Sequence, residues 1–176
     1  NAKNAETFGI ELDVKKSLDF IGLRGLSLVC NAAYIHSRVR FEEGAPERDR
    51  PLAGQSPYLV NAGLFYQHDD KEISASLLYN RIGKRIESVG VPMQNQNEDI
   101  PDIYEMPRNS LDLTFSKKIG KVVEIKAGIQ DMLNSKIEYK QFVKLADENG
   151  GKREREQLVR SYRPGVDINV GVSLKF

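Results

Sequence analysis

Val166-Asp-Ile-Asn-Val-Gly-Val-Ser-Leu-Lys-Phe176 alternates without a break. Val166, Ile168, Val170, Val172, Leu174 and Phe176 are apolar; Asp167, Asn169, Gly171, Ser173 and Lys175 are polar, charged or glycine. Successive side chains of a β-strand point to opposite faces, so this stretch is a ribbon with one oily and one wet face. A water-soluble protein hides such an oily face against a second sheet or a helix, whereas a membrane barrel turns it toward lipid. An apolar row that runs up to a terminal aromatic leads us to expect the barrel.

The same alternation recurs upstream. Phe8, Ile10, Leu12 and Val14 are interleaved with Gly9, Glu11 and Asp13, and Leu26, Leu28, Cys30, Ala32 and Tyr34 with Ser27, Val29, Asn31 and Ala33. Tyr58, Val60, Ala62, Leu64 and Tyr66 form a third row; Ile73, Ala75, Leu77 and Tyr79 a fourth; Leu111, Leu113 and Phe115 a fifth; Val123, Ile125, Ala127 and Ile129 a sixth. With the C-terminal stretch these make seven strands. No charge falls on the oily faces, while Glu11, Asp13, Asp112, Glu124, Lys126, Asp167 and Lys175 fall on the wet ones. A charge facing lipid costs about 2–4 kcal/mol near the bilayer midplane, and the segregation is what that cost predicts. Val29, Leu59, Phe65 and Leu78 are apolar side chains on the wet face. In a large barrel they are placed to touch a plug.

The connections carry an independent signal. Short links are expected near Ser17–Arg24, Gln67–Lys71 and Lys118–Lys121, and long links near Glu42–Ser56, Ile86–Arg108 and Leu133–Gly165. Short and long alternate strictly, so an antiparallel up-and-down meander collects all short turns at one end and all long loops at the other. Outer-membrane barrels share this asymmetry. The third long link contains a hairpin pattern, Tyr139–Leu145 and Glu156–Tyr162 around Asp147-Glu-Asn-Gly-Gly151, which allows up to nine strands. Aromatics fall in two rows. Phe8, Tyr34, Tyr58 and Tyr79 lie toward the long loops, and Tyr66, Phe115 and Phe176 toward the short turns. Tyr58 and Tyr66 are separated by ~26 Å along an untilted strand, or ~20 Å once tilted, close to the apolar band of an outer membrane.

Composition agrees. The 176 residues suffice for one domain, read as a single unit over 1–176, and 26 basic against 25 acidic residues leave a net charge of +1, which gives no electrostatic case for nucleic acid. No apolar run approaches the roughly 20 residues of a spanning helix, so a chain that spans a bilayer must do so with strands. The single Cys30 excludes an internal disulfide and reads as a small apolar strand residue. An odd number of strands places the two ends of the meander on opposite sides, unlike a complete bacterial barrel. Together with a strand pattern already under way at the first residues, this leads us to expect the C-terminal portion of a larger barrel.

Several segments resemble the late barrel of TonB-dependent outer-membrane receptors: Gly54-Gln-Ser-Pro-Tyr-Leu-Val-Asn-Ala-Gly-Leu64, Tyr79-Asn80 followed by Gly83-Lys-Arg-Ile86 and Val89-Gly90, Asp131-Met-Leu-Asn134, and Arg163-Pro-Gly165 leading into the final strand. The order and spacing of these segments, over roughly Phe8 to Phe176, carry the resemblance. It implies an all-β, antiparallel up-and-down meander of about seven to nine strands within a barrel of about 22 strands closed by a plug domain. It further implies a Gram-negative outer-membrane location, and uptake of a scarce ligand such as an iron chelate, cobalamin or a glycan, driven by TonB. The expected partners are membrane lipid, the barrel-assembly machinery, the plug and TonB of the full receptor, and a small-molecule ligand.

The long loops would then form part of a ligand vestibule. Arg81, Lys84 and Arg85 suit an anionic chelate or a lipopolysaccharide phosphate, and Glu98, Asp99, Asp102 and Glu105 a cationic group. Val170, Val172, Leu174 and Phe176 are the expected assembly signal, because an alternating apolar strand can add to a sheet edge. His36 and His68 fall at opposite ends of the meander, so no shared metal is expected. Lys118-Ile-Gly-Lys121 is a turn without phosphate-loop glycine spacing, and no nucleophile and base can be placed together. Neither enzyme activity nor a cofactor is expected. Two other readings stay open: a small complete outer-membrane barrel with a structural or adhesive role, and a soluble lipocalin-like β-barrel binder.

Overall fold

The computed structural model describes residues 2–93, 99–146 and 152–174. In chain order its strands are β1 (Ala2–Ser17), β2 (Leu26–Phe41), β3 (Tyr58–His68), β4 (Ile73–Ile82), β5 (Arg85–Ser88), β6 (Ile103–Glu105), β7 (Arg108–Ile119), β8 (Val123–Gln130), β9 (Ile137–Ala146), β10 (Lys152–Tyr162) and β11 (Asp167–Leu174). A single 3-10 turn, Asp19–Ile21, joins β1 to β2. No helix among the described residues is long and apolar enough to cross a membrane.

Seven strands form one antiparallel sheet in the order β1-β2-β3-β4-β7-β8-β11, and four form a second in the order β10-β9-β6-β5. The seven are those expected from alternation, and the register joins their faces. Val14 stands opposite Cys30, Cys30 opposite Ala62, Ala62 opposite Tyr79 and Tyr79 opposite Leu111. Leu113 stands opposite Ile129, and Ile129 opposite Ile168. Directly opposed residues share a face, so the seven oily rows become one surface. The sheet is open, with β1 and β11 as its edges.

The two sheets are tiers of a single meander. The order β4-β7-β8-β11 below is repeated as β5-β6-β9-β10 above. β4 runs into β5 past Gly83, β6 into β7 past Met106 and Pro107, β8 into β9 through Asp131–Lys136, and β10 into β11 through Arg163–Val166. These breaks lie side by side and are tied across the seam. Met106 N donates to Glu138 O (2.9 Å), Arg163 Nη1 to Asn134 O (2.6 Å) and Gly165 N to the Asn134 side-chain oxygen (3.1 Å). Asp131 and Asn134 adopt positive φ (52° and 43°), a conformation that short polar side chains tolerate.

The short turns fall at the lower end, at residues 18–25, 69–72 and 120–122. Gly25 is required in the first of them: its φ is +75°, and a Cβ would sit 2.1 Å from the Gln67 carbonyl oxygen. The expected hairpin in the third long link is β9–β10, its turn lying outside the described residues. The short strands β5 and β6 were not expected. Four and three residues are too few to show a period, and neighbouring Gly83, Gly90 and Pro107 read as loop.

Protein packing is concentrated in the upper tier. The buried apolar side chains among the described residues are Val39, Ile86 and Tyr139, with Ile86 at 1% exposure. On the lower tier's oily face Ile10 is 78% exposed and Val170 73%.

Candidate functional site

The oily face ends abruptly at both borders. Above Tyr34 the same face of β2 continues as His36, Arg38 and Arg40; above Phe8 on β1 it continues as Glu6 and Asn4. Above Tyr79 and Leu111 come Arg81 and Asn109, opposite each other. Below, Val14 is followed by Lys16 and Phe115 by Lys117. On β2 the polarity inverts at this border, since Ile35, Val39 and Phe41 now occupy the other face. The charges above the oily face on β1 and β2 are paired, with Arg40 bonded to Glu6 (2.8 Å) and Arg38 to Asp49 (2.9 Å).

The wet face carries a row of amides across adjacent strands. Asn31 Nδ2 donates to Glu11 Oε1 (2.8 Å) and Asp13 Oδ1 (2.7 Å). Asn61 Nδ2 donates to Asn31 Oδ1 (3.4 Å), and Asn80 Nδ2 to Asn61 Oδ1 (2.5 Å). Asn31, Asn61 and Asn80 stand opposite one another in register, which puts each amide within reach of the next. Closer to the short turns lies a small apolar island. The Phe65 ring lies over Gly63 beside Leu78, where a Cβ on Gly63 would meet ring and methyl at 2.7 and 2.9 Å.

Above, the β2–β3 loop and the β5–β6 hairpin enclose a cleft of about 720 Å³ with the upper sheet. Arg50 bridges Val39 across the top of β2, and Gly54 N donates to Ile86 O (2.8 Å), which ties the loop to β5. The hairpin is closed by mutual Val91–Ile100 backbone bonds, and Arg48 of the loop pairs with Asp99 of the hairpin. Inside, the Lys84 ammonium sits 4.4 Å from the Tyr104 ring centroid and 4.2 Å from that of Phe142, the two rings meeting edge to face. Arg50 lies over Phe41 at 5.7 Å. Asp102 accepts from Gly90 N (2.7 Å) and from the Tyr104 hydroxyl (3.4 Å). Burial pushes the Tyr104 phenol up, and the Asp102 charge adds to the effect. The Asp49 carboxyl is held below its ordinary range by the Phe41 N–H it accepts and by Arg38. A cleft lined by cations, aromatic rings and carboxylates suits a polar ligand.

Of the residues expected to form a vestibule, Lys84, Asp99 and Asp102 line this cleft. Arg85 and Glu105 pair with each other across β5 and β6 (2.7 Å) outside it. Arg81 stands apart on the oily face, in line with Tyr79, and Glu98 lies outside the described residues. Arg50, Tyr104, Phe142 and Glu154 were missed: Arg50 lies in a loop and Tyr104 on the three-residue β6, while Phe142 and Glu154 lie on the longer β9 and β10, which reach the cleft through pairings that the local pattern does not show. Of the expected assembly signal, Val170, Val172 and Leu174 lie on edge strand β11 and are exposed; Phe176 lies outside the described residues. His36 stacks against Phe8 near the upper border, and His68 ends β3 at the short-turn end. Among the described residues no group of three His, Cys, Asp or Glu side chains is placed to hold a metal ion.

Compared with protein-family models, curated proteins and solved structures, the chain matches none.

Proposed function

We propose that the chain is a stretch of wall of an outer-membrane β-barrel receptor of the TonB-dependent kind. In this reading the lower tier crosses the bilayer, the short turns face the periplasm and the upper tier stands outside the cell. One observation carries it: a face without charge runs across seven registered strands, exposed on edge strands β1 and β11 and half-buried on most of the strands between, with none of its apolar side chains fully buried, and it is bordered above and below by charged side chains. A soluble sandwich or lipocalin would bury that face against protein, and here it is open. The two free edges, β1 and β11, favour a place inside a larger barrel over a small complete one.

The amide row and the Phe65–Leu78 island would face the lumen and meet the plug. The cleft around Lys84 and Asp102 would form part of the outer vestibule for a scarce small-molecule ligand. Edge strand β11 would serve the assembly machinery by strand addition. The test is titration of iron chelates, cobalamin and glycans against the receptor that contains this chain. Lys84→Ala combined with Asp102→Asn is expected to weaken the bound ligand about tenfold or more. Unchanged affinity for every ligand that binds would remove the vestibule assignment.

A further inference from the structure

Arg81 is set on the oily face, one alternation beyond Tyr79 and opposite Val60 on one side and Asn109 on the other. Neutral groups hold it there. Its Nε donates to the Tyr58 hydroxyl (3.2 Å) and its Nη1 to Asn109 Oδ1 (2.7 Å), and the Tyr79 hydroxyl donates to the same Asn109 oxygen (2.8 Å). The guanidinium lies 6.0 Å from the Tyr58 ring centroid, so three strands frame one half-buried cation. Among the described residues no carboxylate lies within ion-pairing distance of Arg81, although Arg38, Arg40, Arg85 and Arg108 each have one. A guanidinium has five N–H donors, and the frame uses two, leaving the Nη2 edge for an anion.

We propose that Arg81, framed by Tyr58, Tyr79 and Asn109, is a binding site for the phosphate of a lipid headgroup of net negative charge, one without a compensating cation, at the upper border of the oily face. The inference rests on that face being wetted by lipid. The ester phosphate of a headgroup lies at the level where acyl chains give way to water, and the aromatic row marks the same level here. Arginine suits it because the two Nη2 N–H groups that the frame leaves can donate to phosphate oxygen while the guanidinium keeps its charge at an apolar border. Arg38 and Arg40, higher on the same face, are already neutralised by Asp49 and Glu6 and are not assigned this role.

The experiment is native mass spectrometry of the receptor that contains this chain, taken from bilayers of equal phosphatidylglycerol and phosphatidylcholine, with insertion checked beforehand by protease protection of the lower tier. The inserted wild-type receptor is expected to retain phosphatidylglycerol about fivefold over phosphatidylcholine, the weight of one basic side chain at an anionic surface. Arg81→Gln should abolish the preference and Arg81→Lys should keep part of it. If Arg81→Gln fails to insert, Asn109→Ala, which frees the guanidinium from its frame, should lower the preference while leaving the charge. A receptor that inserts but shows no preference, or a preference that survives Arg81→Gln unchanged, overturns this inference alone. A receptor that does not insert overturns the membrane reading with it.

Discussion

Arg108 and Asp131 form an ion pair at the seam between the two tiers, where β7 and β8 leave the seven-stranded sheet. Asp131 is 9% exposed, with positive φ, and its N–H donates to Asp112 Oδ1 (2.8 Å). The pair therefore joins the turn after β8 to the start of β7 and to the wet face below it. Asp131→Ala leaves the half-buried Arg108 without its carboxylate. It is expected to lower stability by about 2 kcal/mol in urea unfolding of the folded chain. Asp131→Asn keeps the side chain that tolerates positive φ and should cost less. Equal losses for both would show that the charge, and not the side chain's tolerance of positive φ, holds the seam.

The amide row predicts a second loss. Asn61 is both acceptor from Asn80 and donor to Asn31, so Asn61→Leu breaks two links and strands polar groups on either side. A cost of about 1–2 kcal/mol is expected in the same unfolding measurement. If a plug meets this row in the full receptor, the cost in the isolated chain should be the smaller of the two.

Cys30 stands on the oily face between Val14 and Ala62. On the proposed membrane reading it should react in bilayers with a charged, membrane-impermeant maleimide at least tenfold more slowly than in denaturant, because the thiol would lie among acyl chains. Asn31→Cys in a Cys30→Ala background, one residue along and on the wet face, should react readily. The comparison is a rate of labelling followed by mass.

Acid should loosen the β2–β3 loop. The Asp49 carboxyl titrates below its unfolded value, so the contribution it makes is present above the ordinary aspartate range and disappears as pH falls through the lower, folded value. Amide exchange in the β2–β3 loop should therefore rise on acidification below about pH 4, and Asp49→Asn should show that faster exchange already at neutral pH. Exchange in β3 and β4 is expected to change less.

Alternation made the seven-stranded tier legible because each row obeys a period of two over four or more residues and one face has no charge. The borders were legible for the same reason, in Tyr34 giving way to His36 and Phe115 to Lys117. The upper tier was not. Ile86 is its best-buried side chain, yet it lies in a four-residue strand between Arg85 and Glu87, where no period can be counted. Tyr104 and Phe142 are 38 positions apart (142 − 104) and meet because β6 pairs with β9, a long-range pairing that local pattern does not encode. The same holds for Arg81. Its place in the sequence beside Lys84 and Arg85 suggested a common site, whereas strand parity and a break at Gly83 send the three cations to different surroundings.

The chain contains no tryptophan, so a single introduced indole reports from one chosen place. Val170→Trp puts it on the oily face of β11, and Gly171→Trp on the wet face one residue along, where nothing lies within 4 Å of an added Cβ. In vesicles whose acyl chains carry bromine, the Val170→Trp chain is expected to emit at short wavelength and lose most of its fluorescence, while the Gly171→Trp chain keeps its intensity. Equal quenching at the two positions, or none at Val170→Trp in chains shown to be folded, would contradict a face wetted by hydrocarbon.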